Sequence, residues 1–445
     1  MFLKIIKVLI FKLFILSLLW SCSSNDETLA NNQIEIDFIK TFGGSNNESA
    51  KSITKTSDGG YAILGYTQSM DGDVINKVNN SYDYWLLKFD QNNNLQWQKT
   101  YGGSGDDRGN DVIQTNDGGF AILGYSQSND GDVSENFGFS DYWVSKLDAS
   151  GNILWQKSLG YAGTDNGISL IETTDLGFLL TGVLDVTASG GLGDSKSTKS
   201  QHAGGAYWAI KLNHFGEKQW SKYFGGNFTD TPYNVIETED YGYIIVGSSD
   251  SADVDISSNQ GTYDFWVIKI NSTGTLVWEK SFGGSEIDEA FGISKTSDNN
   301  YIIVGDSRSN NLDVSENHGA SDVWVIKISP SGNLLWKKTY GGTGFDAGRS
   351  ISNTSDNGFL ISGSSRSMDG DLTTNQGQND VWVLKIDPNG SLLWQKSLGG
   401  SNIDFAYDAI ELKDNSFIVI GESSSFDGDI QENKGFTDLL IVKMK

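Results

Sequence analysis

One short motif recurs along this chain at a nearly constant interval, and it constrains the fold more than any other feature. The motif is an aromatic residue or Leu followed by two Gly residues, and one of its seven copies, Leu159-Gly160-Tyr161, is degenerate. A fixed period of this length indicates an array of structural repeats. The copies recur every 58 to 65 residues and begin at Phe42, Tyr101, Leu159, Phe224, Phe282, Tyr340 and Leu398.

Each repeat contains four short runs that predict β-strands, which we name a to d in chain order. In the repeat that ends at Tyr340 they are Ala290–Thr296, Tyr301–Gly305, Asp322–Ile328 and Leu334–Tyr340. The runs are rich in β-branched and aromatic residues and are bounded by turn-forming residues. Beyond the N-terminal apolar run, no segment shows a sustained helical period. Seven such units predict an all-β fold, a seven-bladed β-propeller of four-stranded antiparallel blades.

The two ends of the chain predict how this propeller closes. The last repeat stops at Asp438–Lys443, which corresponds to strand c, and it has no strand d of its own. An extra run, Ile34–Lys40, precedes the first Gly pair, and Phe38 stands where the other repeats place a Trp. We therefore expect the N-terminal strand to complete the last blade, because closure removes exposed sheet edges.

Trp residues recur at two positions per repeat and predict packing between blades. A role in stacking on carbohydrate is the alternative, but a ligand would not need a Trp pair in six blades. Each large ring can bury an extensive apolar area against the next blade. The residues are Trp85, Trp143, Trp208, Trp266, Trp324 and Trp382 on strand c, and Trp97, Trp155, Trp220, Trp278, Trp336 and Trp394 on strand d.

Charge and cysteine content exclude several classes of protein. The net charge is -25 over 445 residues, which argues against a nucleic-acid partner and against a polybasic membrane-binding surface. The chain has one Cys, so no intrachain disulfide can form. We expect a monomer that is stabilised by packing alone.

The N-terminus predicts a lipoprotein signal. Lys residues precede a short apolar run, and Leu19-Trp20-Ser21-Cys22 resembles the bacterial lipobox. This resemblance implies a signal peptide over residues 1–21 and lipidation of Cys22, with a retained membrane helix as the alternative. Residues 22–33 then form a flexible acidic tether, similar to the one that sends Bacteroidetes lipoproteins to the cell surface, or a plain spacer. The propeller occupies residues 34–445, and we expect it at the outer membrane, facing the exterior.

Several propeller families share parts of these repeats. The whole mature chain resembles the propeller lipoproteins of Bacteroidetes, most of which lack an assigned activity. The c–d turn in Asp148–Trp155 is similar to the quinoprotein repeat, although the neighbouring cysteines of quinoprotein dehydrogenases are absent. The a–b turn in Thr56–Tyr61 resembles the Asp-box of sialidases, but only four Arg occur and they do not suggest an arginine triad. Closure by an N-terminal strand resembles WD40 propellers. These resemblances imply the fold and assign no activity.

An acidic residue follows each Gly pair at the start of strand a. Seven such residues near the axis could form a carboxylate ring that holds a cation or a cationic ligand. Alternatively, each accepts local backbone hydrogen bonds and fixes the d–a turn. The candidate ring is Glu48, Asp107, Asp165, Asp230, Asp288, Asp346 and Asp404.

The loops between strands b and c carry a second acidic pattern. Alternating acids and an Asn offer the hard oxygen ligands that Ca²⁺ prefers, so weak Ca²⁺ binding is one interpretation and a structural turn is the other. No cofactor is required. The clearest copies are Asp130, Asp132, Asn136 and Asp141, and Asp369, Asp371, Asn375 and Asp380.

The third repeat departs from the others in its b–c loop, Leu184–Ala206, which is longer and lacks the acidic pattern. Lys196, Lys199 and His202 make this a candidate contact loop, and a tolerated surface insertion is the alternative.

In a four-stranded blade the b–c loops and d–a turns lie on one face, which we call the loop face. We expect a lipid-anchored binding or scaffold protein that contacts a protein or a glycan through this face, without catalysis. A carbohydrate-active hydrolase or lyase is the alternative, since propellers host both. An enzyme should single out one or two blades with non-repeated polar residues over a deep pocket.

Overall fold

The computed structural model describes residues 34–193 and 204–445, and over these residues the chain forms seven four-stranded antiparallel sheets. The sheets belong to one compact unit, Glu35–Lys445. Each strand a contacts the strand a of the next blade, and the strand a of the last blade contacts that of the first. The seven-bladed, all-β propeller predicted from the repeats is therefore confirmed.

The strands are short, and their bounds repeat from blade to blade. The inner strands a are β2 (Glu48–Lys55), β6 (Asp107–Gln114), β10 (Asn166–Glu172), β14 (Asp230–Glu237), β18 (Asp288–Lys295), β22 (Asp346–Asn353) and β26 (Asp404–Glu411). Strands b are β3 (Tyr61–Thr67), β7 (Phe120–Ser126), β11 (Phe178–Asp185), β15 (Tyr243–Ser249), β19 (Tyr301–Ser307), β23 (Phe359–Ser365) and β27 (Phe417–Ser423). Strands c are β4 (Asp83–Phe89), β8 (Asp141–Leu147), β12 (Gly205–Leu212), β16 (Asp264–Ile270), β20 (Asp322–Ile328), β24 (Asp380–Ile386) and β28 (Asp438–Met444). The outer strands d are β5 (Leu95–Tyr101), β9 (Ile153–Leu159), β13 (Lys218–Phe224), β17 (Leu276–Phe282), β21 (Leu334–Tyr340), β25 (Leu392–Leu398) and β1 (Ile36–Phe42).

The N-terminal strand closes the ring, as the two chain ends predict. Strand β1 pairs antiparallel with β28, and Phe38 lies opposite Lys443. Trp336 lies opposite Lys327 in the same way two blades earlier, so Phe38 takes the place of the missing Trp. The strand itself begins two residues later than the sequence suggests, at Ile36.

The hydrophobic core lies mainly between neighbouring blades. The Trp residues of strand c are almost completely buried. The Tyr84 ring of blade one packs edge-to-face on Trp143 of blade two, with ring centroids 4.7 Å apart, and its hydroxyl donates to the Trp143 carbonyl oxygen at 2.9 Å. On strand d, Trp97 contacts Phe120 of the next blade. The recurring Trp residues therefore pack between blades.

Every inner strand contains a β-bulge, and the bulge decides which side chain reaches the axis. The pairing of β18 with β19 shifts between Ala290 and Gly292, so Phe291 has no partner on β19. The facing residue is Gly305, where an added Cβ would lie 1.8 Å from a carbonyl oxygen of β18. Glycine at this place therefore allows the two backbones to approach closely.

In the described part of the b–c loop of blade three, Val186–Ser189 form a short helix, α1, which the sequence does not predict. The Asp185 carboxylate caps it by accepting from the Ala188 N–H at 2.8 Å. The Trp208 indole N–H donates to the Gly193 carbonyl oxygen at 3.0 Å, which ties this loop to strand c. Over residues 34–193 and 204–445, no helix has the length and apolarity needed to cross a membrane.

Candidate functional site

The acidic residues at the start of the inner strands are buried and bind the turn beside them. In blade five, Asp288 Oδ2 accepts from the Gly284 N–H at 2.7 Å and from the Ser309 hydroxyl at 2.8 Å, and its Oδ1 accepts from the Ser307 hydroxyl. The arrangement favours the local turn interpretation. Ligand binding by this ring stays a prediction. None of its members is exposed: Glu48, Asp107, Asp165, Asp230, Asp288, Asp346 and Asp404.

The acidic pattern of the b–c loops holds the preceding Gly pair in place. In blade two, Asp130 Oδ1 accepts from the Ser104 N–H at 2.7 Å, and Asp132 Oδ2 accepts from the Gly102 N–H at 3.2 Å. The Asn136 amide donates to the carbonyl oxygen of Ser126 at 3.1 Å. Each of these side chains therefore has a partner within the protein.

The other copy repeats this network. Asp369 accepts from the Thr343 N–H at 2.7 Å, and Asp371 accepts from the Gly341 N–H at 3.0 Å. Asn375 donates to the Ser365 carbonyl oxygen at 2.9 Å. Within the described parts of the chain, no group of three or more His, Cys, Asp or Glu could hold a metal ion. The geometry favours a structural turn, and Ca²⁺ binding stays a prediction.

The first Asp of strand c lies beside the acidic residue of the next blade. Asp264 and Asp288 flank Gly283, where an added Cβ would lie 2.3 Å from Asp264 Oδ1 and 2.7 Å from Asp288 Oδ2. The pKa of Asp264 is raised to about 7, mainly by burial and in part by the Asp288 charge. Asp141 and Asp380 are the equivalent residues of blades two and six, and burial raises the pKa of each to about 6.

The residues at the bulges surround a cavity that the sequence did not predict. A cavity of about 560 Å³, which we call the axial cavity, is lined by residues from all seven inner strands. The residue at each bulge lines it, and together these seven residues form what we call the bulge ring. They differ from one another in size, charge and polarity: Lys51, Asn110, Ile168, Tyr233, Phe291, Arg349 and Tyr407.

A signal for this ring exists in the sequence. When the seven repeats are aligned on their Gly pairs, the residue two after the starting acid is always small, and the next residue differs in every blade except two. Blade five, for example, has Asp288, then Ala290, then Phe291. A variable position beside one that is always Ala, Gly or Pro indicates a place where the blades do not share a structural role.

Lys51 and Arg349 line the axial cavity, and Arg108 lies near Lys51 on the side toward the loop face without lining the cavity; we call this region the mouth. Lys51 Nζ is 3.4 Å from the centroid of the Tyr407 ring. The Arg349 guanidinium is 3.9 Å from the Phe291 ring centroid. Arg108, on strand β6, lies 3.9 Å from the ring centroid of Tyr82. Aromatic faces therefore hold all three cations.

The carboxylates nearest these cations are too distant to form hydrogen bonds. Lys51 Nζ is 3.7 Å from Glu422, Arg349 Nη1 is 3.6 Å from Asp306, and Arg108 Nη2 is 3.9 Å from Asp106. Burial raises the pKa of Asp306 to about 6.

The mouth also shifts the pKa of Lys51. The pKa of Lys51 is lowered to about 8, mainly by burial and to a smaller degree by the charges of Arg108 and Arg349, while Glu422 opposes the shift. Lys51 therefore lies close enough to both Arg side chains to be repelled by them.

Two further carboxylates line the cavity one residue beyond the bulges, farther from the loop face. Asp111 accepts from the hydroxyls of Ser52 at 2.8 Å and Ser169 at 3.1 Å. Asp408 accepts from the Ile53 N–H at 3.1 Å. Burial raises the pKa of both carboxyl groups, that of Asp408 to about 6.

Two parts of the predicted site lie outside the described residues. These are the lipidation residue Cys22 and the candidate contact loop with Lys196, Lys199 and His202. Both stay predictions.

Comparison with known proteins adds one distant relative. No protein-family model matches the chain. The regulatory protein FlaEY of Caulobacter vibrioides is 23% identical over 411 residues, which are 82% of this chain and 41% of that protein. The chain thus spans less than half the length of the curated relative it matches.

Among solved structures, the chain is similar to several propellers at low identity. The WD40 domain of Pan2 from Neurospora crassa has 10% identity and a TM-score of 0.46, over 91% of this chain and 95% of that one. Sqt1 from Chaetomium thermophilum has 11% identity and a TM-score of 0.42, over 91% and 87%. BamB from Moraxella catarrhalis has 10% identity and a TM-score of 0.39, over 93% and 99%. Likenesses of this size carry no argument about function, and the fold assignment rests on the strand pairing described above.

Proposed function

We propose that this protein is a ligand-binding propeller whose binding site is the axial cavity, and that it binds a protein segment or a glycan there without catalysis. The observation that carries the proposal is the bulge ring. In a chain of seven similar blades, the seven residues around the cavity share neither size, charge nor polarity. Structural needs that repeat in every blade do not explain such a set, whereas an asymmetric ligand does.

The closed ring suits such a role. The inner strands belong to sheets that are tied to their neighbours through buried aromatic residues, so the bulge ring is held on a rigid scaffold. A site on rigid elements loses little conformational entropy when a ligand binds.

A hydrolase or lyase remains the second candidate because of Asp111 and Asp408. Both line the cavity and both have raised pKa values, as general acids often do. Their oxygens, however, already accept hydrogen bonds from the neighbouring inner strands. These hydrogen bonds support a structural role for the two carboxylates, so we place ligand binding ahead of catalysis.

We further propose that the protein acts at the outer surface of a bacterial outer membrane. The support is the lipobox-like segment that ends at Cys22 and the acidic stretch that follows it. In this arrangement the lipid anchors the chain, residues 22–33 act as a tether, and the propeller faces the exterior.

A glycan and peptide binding screen tests the proposed function, with hydrolysis products monitored in the same wells. The full chain, purified in detergent, is compared with Ile168→Trp, which places a large ring in the axial cavity. Leu393→Trp is the matched control, because Leu393 is 54% exposed on the outer strand β25. We expect Ile168→Trp to abolish binding and Leu393→Trp to leave it unchanged.

Other results would redirect or reject the proposal. A ligand that still binds the Ile168→Trp variant would place the site outside the cavity. The absence of binding by any glycan or peptide would contradict the proposed function, and product formation would favour the enzyme.

A further inference from the structure

We propose that the ligand of the axial cavity is an acidic saccharide, and that Lys51 and Arg349 bind its carboxylate group, with Arg108 nearby. This inference rests on the proposed function, because it names the class of ligand that the same cavity selects. The geometry of the three cations carries the argument.

The first observation concerns the positions of the Arg residues in this strongly acidic chain. The net charge is -25 and only four Arg occur. Arg349 and Lys51 line the axial cavity, and Arg108 lies near Lys51. Each cation has a carboxylate within 4 Å, so these side chains offer an anionic ligand charged hydrogen-bond donors at one place rather than an excess of positive charge.

The second observation is how poorly the protein itself satisfies these cations. Several ion pairs at the a–b turns are tight: Lys146 to Asp117 is 2.8 Å and Lys269 to Asp240 is 2.7 Å. At the mouth, the carboxylate partners are 3.6 to 3.9 Å away. N–H groups at the mouth are therefore available to a ligand.

The third observation is the way the cations are held. Tyr407, Phe291 and Tyr82 contact them through ring faces, which positions a cation without using its hydrogen-bond donors. Arg108 and Arg349 also repel the Lys51 ammonium, and Glu422 offsets part of this repulsion. A carboxylate would relieve this repulsion and accept charge-assisted hydrogen bonds, which are among the strongest polar contacts in proteins.

The lining of the cavity indicates the rest of the ligand. The rings of Tyr233 and Phe405 alternate with the polar side chains of Asn110, Asn234 and Ser350. A sugar offers both apolar C–H faces and hydroxyl groups, so it can use both kinds of surface. The volume of about 560 Å³ lies in the usual range of small-molecule sites. Inorganic phosphate would engage the cations alone and leave the aromatic lining unfilled.

The test measures binding of two matched pairs of sugars by calorimetry, with the full chain in detergent. The pairs are digalacturonate with digalactose, and sialyllactose with lactose. We expect at least one acidic sugar to bind about tenfold more tightly than its neutral partner, because only the acid gains charge-assisted hydrogen bonds.

Three variants locate the contact. Arg349→Gln and Lys51→Met are each expected to weaken binding of the acidic sugar about tenfold and to leave the neutral sugar unaffected. Arg366→Gln is the control, since Arg366 donates to Asn379 at 2.8 Å and does not line the cavity. Circular dichroism checks that each variant folds. If Arg349→Gln does not fold, Lys51→Met tests the contact by itself, because Met keeps the apolar stem of the Lys side chain.

The outcomes separate this inference from the proposed function. Equal binding of acidic and neutral sugars, unchanged in the cation variants, overturns the acidic class and leaves a binding cavity in place. Binding of peptides but of none of the four sugars overturns the saccharide and again leaves the proposed function. Only a failure of all sugars and peptides contradicts both.

Discussion

The substitution Asp288→Asn distinguishes a turn-fixing acidic residue from a ligand-binding one. Asp288 is buried and accepts three hydrogen bonds, from the Gly284 N–H and from the hydroxyls of Ser307 and Ser309. Asparagine keeps one oxygen and replaces the other with a donor. The least costly orientation keeps the bonds from Gly284 and Ser309, and it sets the new amide against the Ser307 hydroxyl.

The magnitude follows from that single lost bond. The Ser307 oxygen already accepts from the Ser309 N–H, so its own hydrogen would lose its buried acceptor. A hydrogen bond to a charged group contributes about 1.5–3 kcal/mol. Removing the charge also relieves repulsion with Asp264, which offsets part of the loss. We therefore expect the free energy of unfolding to fall by about 1–2 kcal/mol.

Urea denaturation followed by Trp fluorescence measures this change at pH 8. Asp369→Asn is the matched control, because blade five naturally has Asn311 at the equivalent loop position, where it accepts from the Ser285 N–H at 2.9 Å. The control should change stability by less than about 0.5 kcal/mol. A gain in stability for Asp288→Asn would refute the turn-fixing argument and restore the carboxylate ring as a ligand site.

Three further perturbations test the closure, the buried acids and the anchor. Deleting residues 1–40 should lower stability by several kcal/mol because β28 loses its partner strand, whereas deleting residues 1–33 should not; equal urea midpoints would contradict closure. Lowering the pH from 8 to 5 should raise the urea midpoint. Asp83 and Asp230 have pKa values of about 7 in the folded protein, so they take up protons over this range, whereas unfolded carboxyl groups stay ionised. Below pH 4 the trend should reverse, since Asp58 has a pKa of about 2 in the fold; a midpoint that falls steadily from pH 8 would be inconsistent with this. Replacing Cys22 with Ala should release the protein from membranes, and a variant that withstands a carbonate wash would disprove the lipid anchor.

The sequence by itself determines the architecture of this protein. The Gly-pair period sets the number of blades, and the strand patterns within one repeat predict the bounds of strands c and d, as at Asp322–Ile328 and Leu334–Tyr340. The unmatched strand c at the C-terminus and the extra strand at the N-terminus predict the closure. These inferences succeed because turn residues and strand periodicity act locally and are repeated seven times.

The inner strand shows where this local reasoning ends. The sequence predicts it from Ala290, but pairing begins at Asp288 and passes through a bulge at Phe291. A bulge shifts the alternation of side chains, and it depends on the close approach of the neighbouring strand at Gly305. The position of the acidic residues is predicted, but the direction of their carboxylates, toward their own turns, follows from contacts with the b–c loop.

Only the tertiary structure brings the candidate site together. Lys51, Arg108 and Arg349 lie on three different blades and are far apart in the sequence, and nothing in their local patterns connects them. The closed ring places their strands around one axis, and aromatic rings from other strands and from one b–c loop contact the cations. The structure of each blade follows from the local sequence of its own repeat. The cavity depends on the residues that differ between repeats, and these residues meet only when the ring closes.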